Sequence, residues 1–241
     1  MVSKNQIKFI TSLQQKKFRL QHRMFFAEGE KVITEFMDSD LEPVEIFTLT
    51  PDIYKKYGAK VTQISESDLK KISTLVTPNN SLGVFKIPKE NNFLEKGLAV
   101  VLDDVRDPGN LGTIIRLCDW FGIEKIVCST DSVDVYNPKV VQATMGSLSR
   151  VEVYYMNIQE LLSETKLAVY GAFMDGENIY HKKLKSEGYI VMGNESKGIS
   201  AEVEKLITDK ITIPRFGRLQ QTESLNVATA TAIVLSEFRR N

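Results

Sequence analysis

Three short stretches carry residue types that could do chemistry, at spacings that could bring them together. The first runs Asp103-Asp104-Val105-Arg106-Asp107-Pro108-Gly109-Asn110-Leu111-Gly112 and on to Arg116. Pro108 and Gly109 make a turn, Asn110 can cap the helix that follows, and Arg116 lies six residues into it. The second is Gly193-Asn194-Glu195, with Gly198 three residues on. A glycine at a strand's carboxyl end lets a ligand approach the backbone closely, and Glu195 can fix neighbouring amides or a hydroxyl. The third is Ile213-Pro214, a polar loop over 215–223, and then Ser224-Leu225-Asn226-Val227, where Ser224 or Asn226 can cap a helix. Other chemistries drop out. The two histidines, His22 and His181, are too few for most zinc clusters, and with no G-x-S-x-G elbow a Ser-His-Asp hydrolase is not expected. No G-x-G-x-x-G string exists, and Lys197 precedes the second glycine of its loop where a P-loop lysine would follow it.

These stretches need elements to hold them. Leu98–Leu102 is a continuous apolar run, as expected of a strand buried on both faces. Further strands are expected at Lys125–Cys128, Val151–Tyr155, Leu167–Phe173, Tyr189–Met192 and Lys210–Ile213. Helices are expected at Leu111–Phe121, Pro138–Leu148, Ile158–Glu164, Ala201–Ile207 and Ser224–Phe238. Such alternation predicts a parallel, doubly wound sheet, in which ligands bind outside the carboxyl ends of the strands. The three stretches follow three of those ends. Upstream of the polar linker Pro88–Gly97, short strands (Phe25–Ala27, Val44–Leu49, Lys60–Ile64, Leu82–Ile87) alternate with helices (Glu30–Met37, Asp52–Tyr57, Ser67–Leu75), a small α/β domain.

Composition sets the outer bounds. In 241 residues, 31 basic and 31 acidic side chains cancel, so any polyanion site must be a local patch. The best candidate is N-terminal, where Lys4, Lys8, Lys16, Lys17, Arg19, Arg23 and Lys31 interleave with Phe9, Phe18, Phe25 and Phe26. Cations for phosphate and rings for bases suit RNA, whereas an ordinary helix would turn the rings into the core. No apolar run is long enough for a membrane span, and no apolar stretch marks a signal peptide at the N-terminus. Cys118 and Cys128 supply no disulfide framework. A soluble cytoplasmic protein is expected.

Taken in order, Asn-x-Gly-x-x-x-Arg at Asn110, Gly112 and Arg116, then Gly-x-Glu-x-x-Gly at Gly193, Glu195 and Gly198, then Ile213-Pro214 and Ser224-Leu225-Asn226-Val227 resemble the three motifs of the SpoU (TrmH-like) RNA ribose 2′-O-methyltransferases. The stretch from Arg23 to Lys31 resembles the start of that family's substrate-binding domain, with Thr77-Pro78 through Phe85 near its end. The resemblance implies an α/β fold whose parallel doubly wound sheet ends in a C-terminal trefoil knot. It also implies a small L30e-like domain over residues 1–90 that grips RNA, and a methyltransferase domain over 98–241. S-adenosylmethionine is the implied cofactor, held by Met192, Gly193, Asn194, Gly198, Ile213, Pro214, Ser224 and Leu225, with no metal. Catalytic roles fall to Arg116, Asn110, Glu195, Ser224 and Asn226, and RNA contacts to Lys16, Lys17, Arg19 and Arg23. Arg116 would stabilise a developing alkoxide, because a guanidinium stays protonated at ordinary pH. Asn110 would orient Arg116 or the ribose, Glu195 would hold the motif loops, and Ser224 and Asn226 would complete the pocket. A homodimer is implied, acting on structured RNA, with a large-subunit ribosomal guanosine favoured over transfer RNA. The 215–223 loop is longer than members commonly show. The competing readings are a non-catalytic RNA-binding or assembly factor that keeps the knotted fold, and a flavodoxin-like nucleotide or redox protein.

Overall fold

The computed structural model describes residues 2–89, 91–219 and 224–240, and the chain forms two compact units. The first comprises Met1–Glu90 together with Asp134–Arg150; the second comprises Asn91–Val133 and Val151–Asn241.

The first unit opens with α1 (Lys4–Ser12). Ser3 and Gln6 form a capping box there: the Gln6 amide donates to Ser3 Oγ at 3.2 Å and the Ser3 amide to Gln6 Oε1 at 3.0 Å. α2 (Lys16–His22) ends at Arg23, whose left-handed backbone turns the chain into β1 (Met24–Glu28). α3 (Glu30–Met37), β2 (Pro43–Thr48), a 3₁₀ turn over Pro51–Tyr57, β3 (Val61–Gln63), α4 (Glu66–Ile72) and β4 (Ser81–Lys86) follow. The sheet order is β1-β4-β2-β3, with β4 antiparallel to both neighbours and β2 parallel to β3. Alternation along β1 and β4 feeds two apolar layers. Phe26, Leu82 and Val84 pack with α1 and α4, while Phe25, Ala27 and Phe85 pack with Ile33 and Phe36 of α3.

The second unit is built on β5 (Leu98–Leu102), buried at every residue as its unbroken apolar run predicts. α5 (Pro108–Trp120) and β6 (Lys125–Cys128) follow. The chain then enters the first unit, where α6 (Pro138–Thr144) places Val141 in the layer of Phe25 and Phe36, and the Tyr136 ring lies 4.8 Å from that of Phe25. Back in the second unit come β7 (Glu152–Tyr155), α7 (Ile158–Glu164), β8 (Val169–Asn178), β9 (Gly188–Met192), α8 (Ala201–Glu204), β10 (Asp209–Thr212) and α9 (Val227–Arg239). The strand order is β10-β8-β9-β5-β6-β7 and every pairing is parallel. Leu102 pairs with Met192 and with Cys128, so three strands finish level. From the β10 edge, α9 returns to pack on α5, and Arg239 donates to the carbonyls of Phe121 and Gly122 at 2.7 Å each.

β8 departs from expectation. It runs to Asn178 rather than Phe173, and its pairing with β10 jumps from Lys210–Gly171 to Ile211–Glu177. The intervening residues 172–176 leave the ladder and become available to line a cavity.

Candidate functional site

The loop after β5 is organised by carboxylates. Asp103 is buried, and its Oδ2 accepts the Ser200 amide at 2.7 Å. Asp104 takes a left-handed conformation and offers its carbonyl to Asn194 Nδ2 at 2.7 Å. Asp107, not Asn110, caps α5: its Oδ1 accepts the Asn110 amide at 2.8 Å and Pro108 occupies the first turn. The helix therefore begins three residues earlier than expected. Asn110 lies inside its first turn with its side chain free for another use.

The loop after β9 is closed by Asn194. Its backbone exchanges two 2.9 Å hydrogen bonds with Gly198, and its Oδ1 accepts the Ser196 and Lys197 amides. Gly193 lies so close to the returning loop backbone that an added Cβ would sit 2.2 Å from the Gly198 carbonyl carbon and the Ile199 nitrogen. Gly198 has φ +72°, where side chains are rarely tolerated.

One hydrogen-bonded chain then joins all three motif loops. Asn226 caps α9, its Oδ1 accepting the Ala228 and Thr229 amides at 3.0 and 3.2 Å. That fixes its Nδ2 outward, donating to Asn110 Oδ1 at 2.9 Å. Asn110 Nδ2 in turn donates to Glu195 Oε1 at 3.0 Å. The helix end dictates the orientation of each amide in succession, and the chain finishes on a carboxylate, a pure acceptor when ionised. Asn110 therefore orients Glu195 and Asn226; both ends of its amide are occupied, and it does not bond Arg116.

Beside this chain lies a cavity of about 600 Å³. All eight residues expected to hold the cofactor line it: Met192, Gly193, Asn194, Gly198, Ile213, Pro214, Ser224 and Leu225. Glu195 lines it as well. Its volume falls within the range of small-ligand sites, with apolar walls and a few polar groups. Ile199, Ile211, Val227 and Val234 offer apolar surface for a flat base, while Asn194, Glu195 and Ser224 supply polar groups for hydroxyls and an amino acid moiety. The residues present fit S-adenosylmethionine. Sequence reasoning missed Ala172, Phe173 and Met174, which enter the wall where β8 leaves the ladder. A six-residue jump in pairing leaves no mark on apolar periodicity.

The remaining expected residues lie elsewhere. Arg116 is exposed on α5 outside the cavity lining, without a hydrogen bond or ion pair among the described residues. Lys16, Lys17 and Arg23 are exposed, and Arg23 donates to the Pro88 carbonyl at 3.0 Å. Arg19 overturns its expected RNA role. It is 2% exposed, its guanidinium bonds the Leu13 and Gln14 carbonyls at 2.9 and 2.8 Å, and it pairs with Asp134. A buried cation needs such partners, and this one ties α2 to the 134–150 segment. Phe25 and Phe26 are core, carried there by strand β1 rather than by a helix. Residues 220–223 of the long loop lie outside the described residues. Among the described residues no His, Cys, Asp and Glu grouping could hold a metal, and no helix is long and apolar enough to cross a membrane. Burial raises the Cys118 thiol and pushes Cys128 up to about 12, which removes both as nucleophiles.

A parallel sheet whose strand-end loops close one cofactor-sized cavity, with a small α/β unit in the same chain, defines a two-unit cofactor-dependent enzyme. The chain belongs to the SpoU rRNA methylase family, which matches residues 97–236, while an MRM3-like substrate binding domain matches residues 4–83. It is 30% identical to the 23S rRNA (guanosine(2553)-2′-O)-methyltransferase RlmP of Bacillus subtilis over 98% of this chain and 97% of that protein. A solved structure from Porphyromonas gingivalis assigned to the TrmH family of RNA methyltransferases shares 42% identity, with TM-score 0.91 over 100% of this chain and 99% of that one. An AdoMet-bound rRNA methyltransferase from Sinorhizobium meliloti shares 29%, with TM-score 0.86 over 100% and 97%. As a family member, the chain is an S-adenosylmethionine-dependent RNA 2′-O-methyltransferase.

Proposed function

We propose that this enzyme methylates a ribose 2′-hydroxyl of large-subunit ribosomal RNA, a guanosine by analogy with the B. subtilis relative, and that it works in the cytoplasm as a homodimer. The observation that carries the site assignment is the Asn226–Asn110–Glu195 chain, which binds three separate strand-end loops into one cavity mouth. Bound S-adenosylmethionine supplies an electrophilic methyl, so the protein's task is to place and activate the hydroxyl. Glu195 keeps its second oxygen without a partner among the described residues, available to accept a hydroxyl hydrogen. Ser224, exposed at the cavity, offers a further polar contact. Arg116 cannot act as the base, because its guanidinium keeps its proton; it stabilises the developing alkoxide while a phosphate oxygen or water takes the proton. The α5 helix that carries Arg116 also carries Trp120, 84% exposed, a ring suited to the contact between two copies. RNA docks on the first unit through Lys16, Lys17 and Arg23. The test is methyl transfer by Arg116→Ala in a protein whose cofactor affinity is measured in parallel. Transfer should fall about 100-fold or more with unchanged affinity, the scale of losing one oxyanion donor. Undiminished transfer refutes the role.

A further inference from the structure

Beyond Pro214, which lines the cavity, the chain runs Arg215-Phe216-Gly217-Arg218-Leu219. Arg215 still lines the cavity, while Phe216 is 83% and Leu219 76% exposed. The Phe216 ring meets no other ring and no cation among the described residues, and Arg218 has neither ion pair nor hydrogen bond among them. A large ring held in water forgoes the burial that drives folding, and no ring or cation among the described residues of its unit uses this one. The segment itself carries charge of one sign, two arginines and no acid over 213–219, and the cavity it borders holds exposed Lys197 alongside Glu195 and Glu204. Local positive potential beside an unpaired aromatic suits a nucleic acid strand whose bases are unstacked.

The geometry points to Phe216 as a stacking platform for an unpaired RNA base next to the ribose that enters the cavity, with Arg218 on the adjoining phosphate. This rests on the RNA methyl transfer proposed above and adds how the substrate strand is held. A 2′-hydroxyl reaches a walled cavity when its nucleotide is splayed out of the helix, which leaves a neighbouring base face without a stacking partner. An aromatic ring replaces that partner without reading the base's identity. Phe216 is thus a positioning residue for the substrate and does not touch the methyl donor.

The full-length protein carrying Phe216→Ala, and separately Phe216→Trp, tests this with in vitro transcribed large-subunit ribosomal RNA as substrate. Steady-state methyl transfer gives KM and kcat, titration calorimetry without RNA gives cofactor affinity, and sedimentation gives oligomeric state. Phe216→Ala should raise KM for the RNA about 5- to 150-fold, the range for losing one base–aromatic stack, with kcat, cofactor affinity and oligomeric state unchanged. Phe216→Trp should restore KM, and Arg218→Ala should lower the salt slope of RNA binding by about 0.7, one single-strand phosphate contact. An unchanged KM overturns the inference. So does a loss of cofactor affinity in step with KM, which would make the loop a cofactor lid, or a changed oligomeric state, which would make Phe216 a protein contact. Wild-type protein that transfers no methyl to this RNA would instead overturn the substrate reading itself.

Discussion

Asn110→Asp tests the polarity of the chain that joins the three loops. In the wild type, Asn110 Nδ2 donates to Glu195 Oε1 at 3.0 Å and Oδ1 accepts from Asn226 Nδ2 at 2.9 Å. Aspartate keeps the second bond and turns the first into two facing carboxylates. The lost bond to a charged acceptor is worth about 1.5–3 kcal/mol when dry, and water reaches this half-buried site, so about 1 kcal/mol is the expected share. At this spacing like charges repel by about 5 kcal/mol at an effective dielectric of 20 and about 1 kcal/mol in water; partial exposure places the repulsion at about 1–2 kcal/mol. Asn110→Asp should therefore destabilise by about 2–3 kcal/mol at neutral pH. Asn110→Ala loses both bonds but adds no repulsion, and should cost about 1–2 kcal/mol. An acid in the first turn of a helix ordinarily helps by about 0.3–1 kcal/mol, so the dipole alone predicts the opposite sign. Urea unfolding and cofactor titration report the outcome. Adding Glu195→Gln, whose amide can donate to the introduced carboxylate, should recover most of the loss in both assays. An Asn110→Asp protein as stable as wild type, or a double variant no better than Asn110→Asp alone, would show that Glu195 is not the charged terminus of this chain.

Gly193→Ala should weaken S-adenosylmethionine binding more than tenfold with native circular dichroism, because a Cβ 2.2 Å from the Gly198–Ile199 backbone must open the loop; unchanged calorimetric affinity would contradict this. Charge reversal at both Lys16 and Lys17 should weaken RNA binding and flatten its salt dependence, since both are exposed; filter binding over a salt series checks it. The same reversal at Arg19 should instead lower the unfolding midpoint, because it leaves Asp134 facing a like charge in a buried site. Cys118 and Cys128 have pKa values raised by burial, so the folded state favours neutral thiols. Their contribution to stability is complete below the unfolded thiol pKa of about 8.5 and is lost as pH rises through the folded values. Unfolding free energy should fall between about pH 8.5 and 12, and a Cys118→Ala, Cys128→Ala protein should lose less over that window; an equal loss would refute the attribution.

The parts of the site that the sequence exposes are those with local causes. Leu98–Leu102 is apolar throughout because both faces are covered, and that run marks the strand end from which the first motif hangs. Asn226 as a cap follows from its place before Val227. Asp107 displaces Asn110 as the α5 cap because the helix starts at Pro108, ahead of the first apolar position by which a helix is recognised. Asp175, Gly176 and Glu177 look like loop, yet β8 runs through them, and pairing with β10 resumes at Glu177 and Asn178, where polar side chains at the sheet edge carry no penalty. Arg19 reads as one cation in a basic run; its partner Asp134 lies 115 residues away, beyond any local pattern. The long-range pairings are what the sequence conceals.

Because Asp134–Arg150 packs in the first unit, the backbone passes from one unit to the other at 90/91, 133/134 and 150/151. Severing the chain in the polar linker would therefore not yield two self-sufficient halves. A fragment starting at residue 98 would leave Val141 and Leu148 bare to solvent, a sticky surface inviting aggregation, while a fragment ending at 90 would strip Tyr136 from Phe25 and the counter-ion from Arg19. The seventeen residues Asp134–Arg150 are a stretch of the later chain that belongs to the first unit, and swapping either unit between relatives will succeed only if that stretch travels with the amino-terminal part.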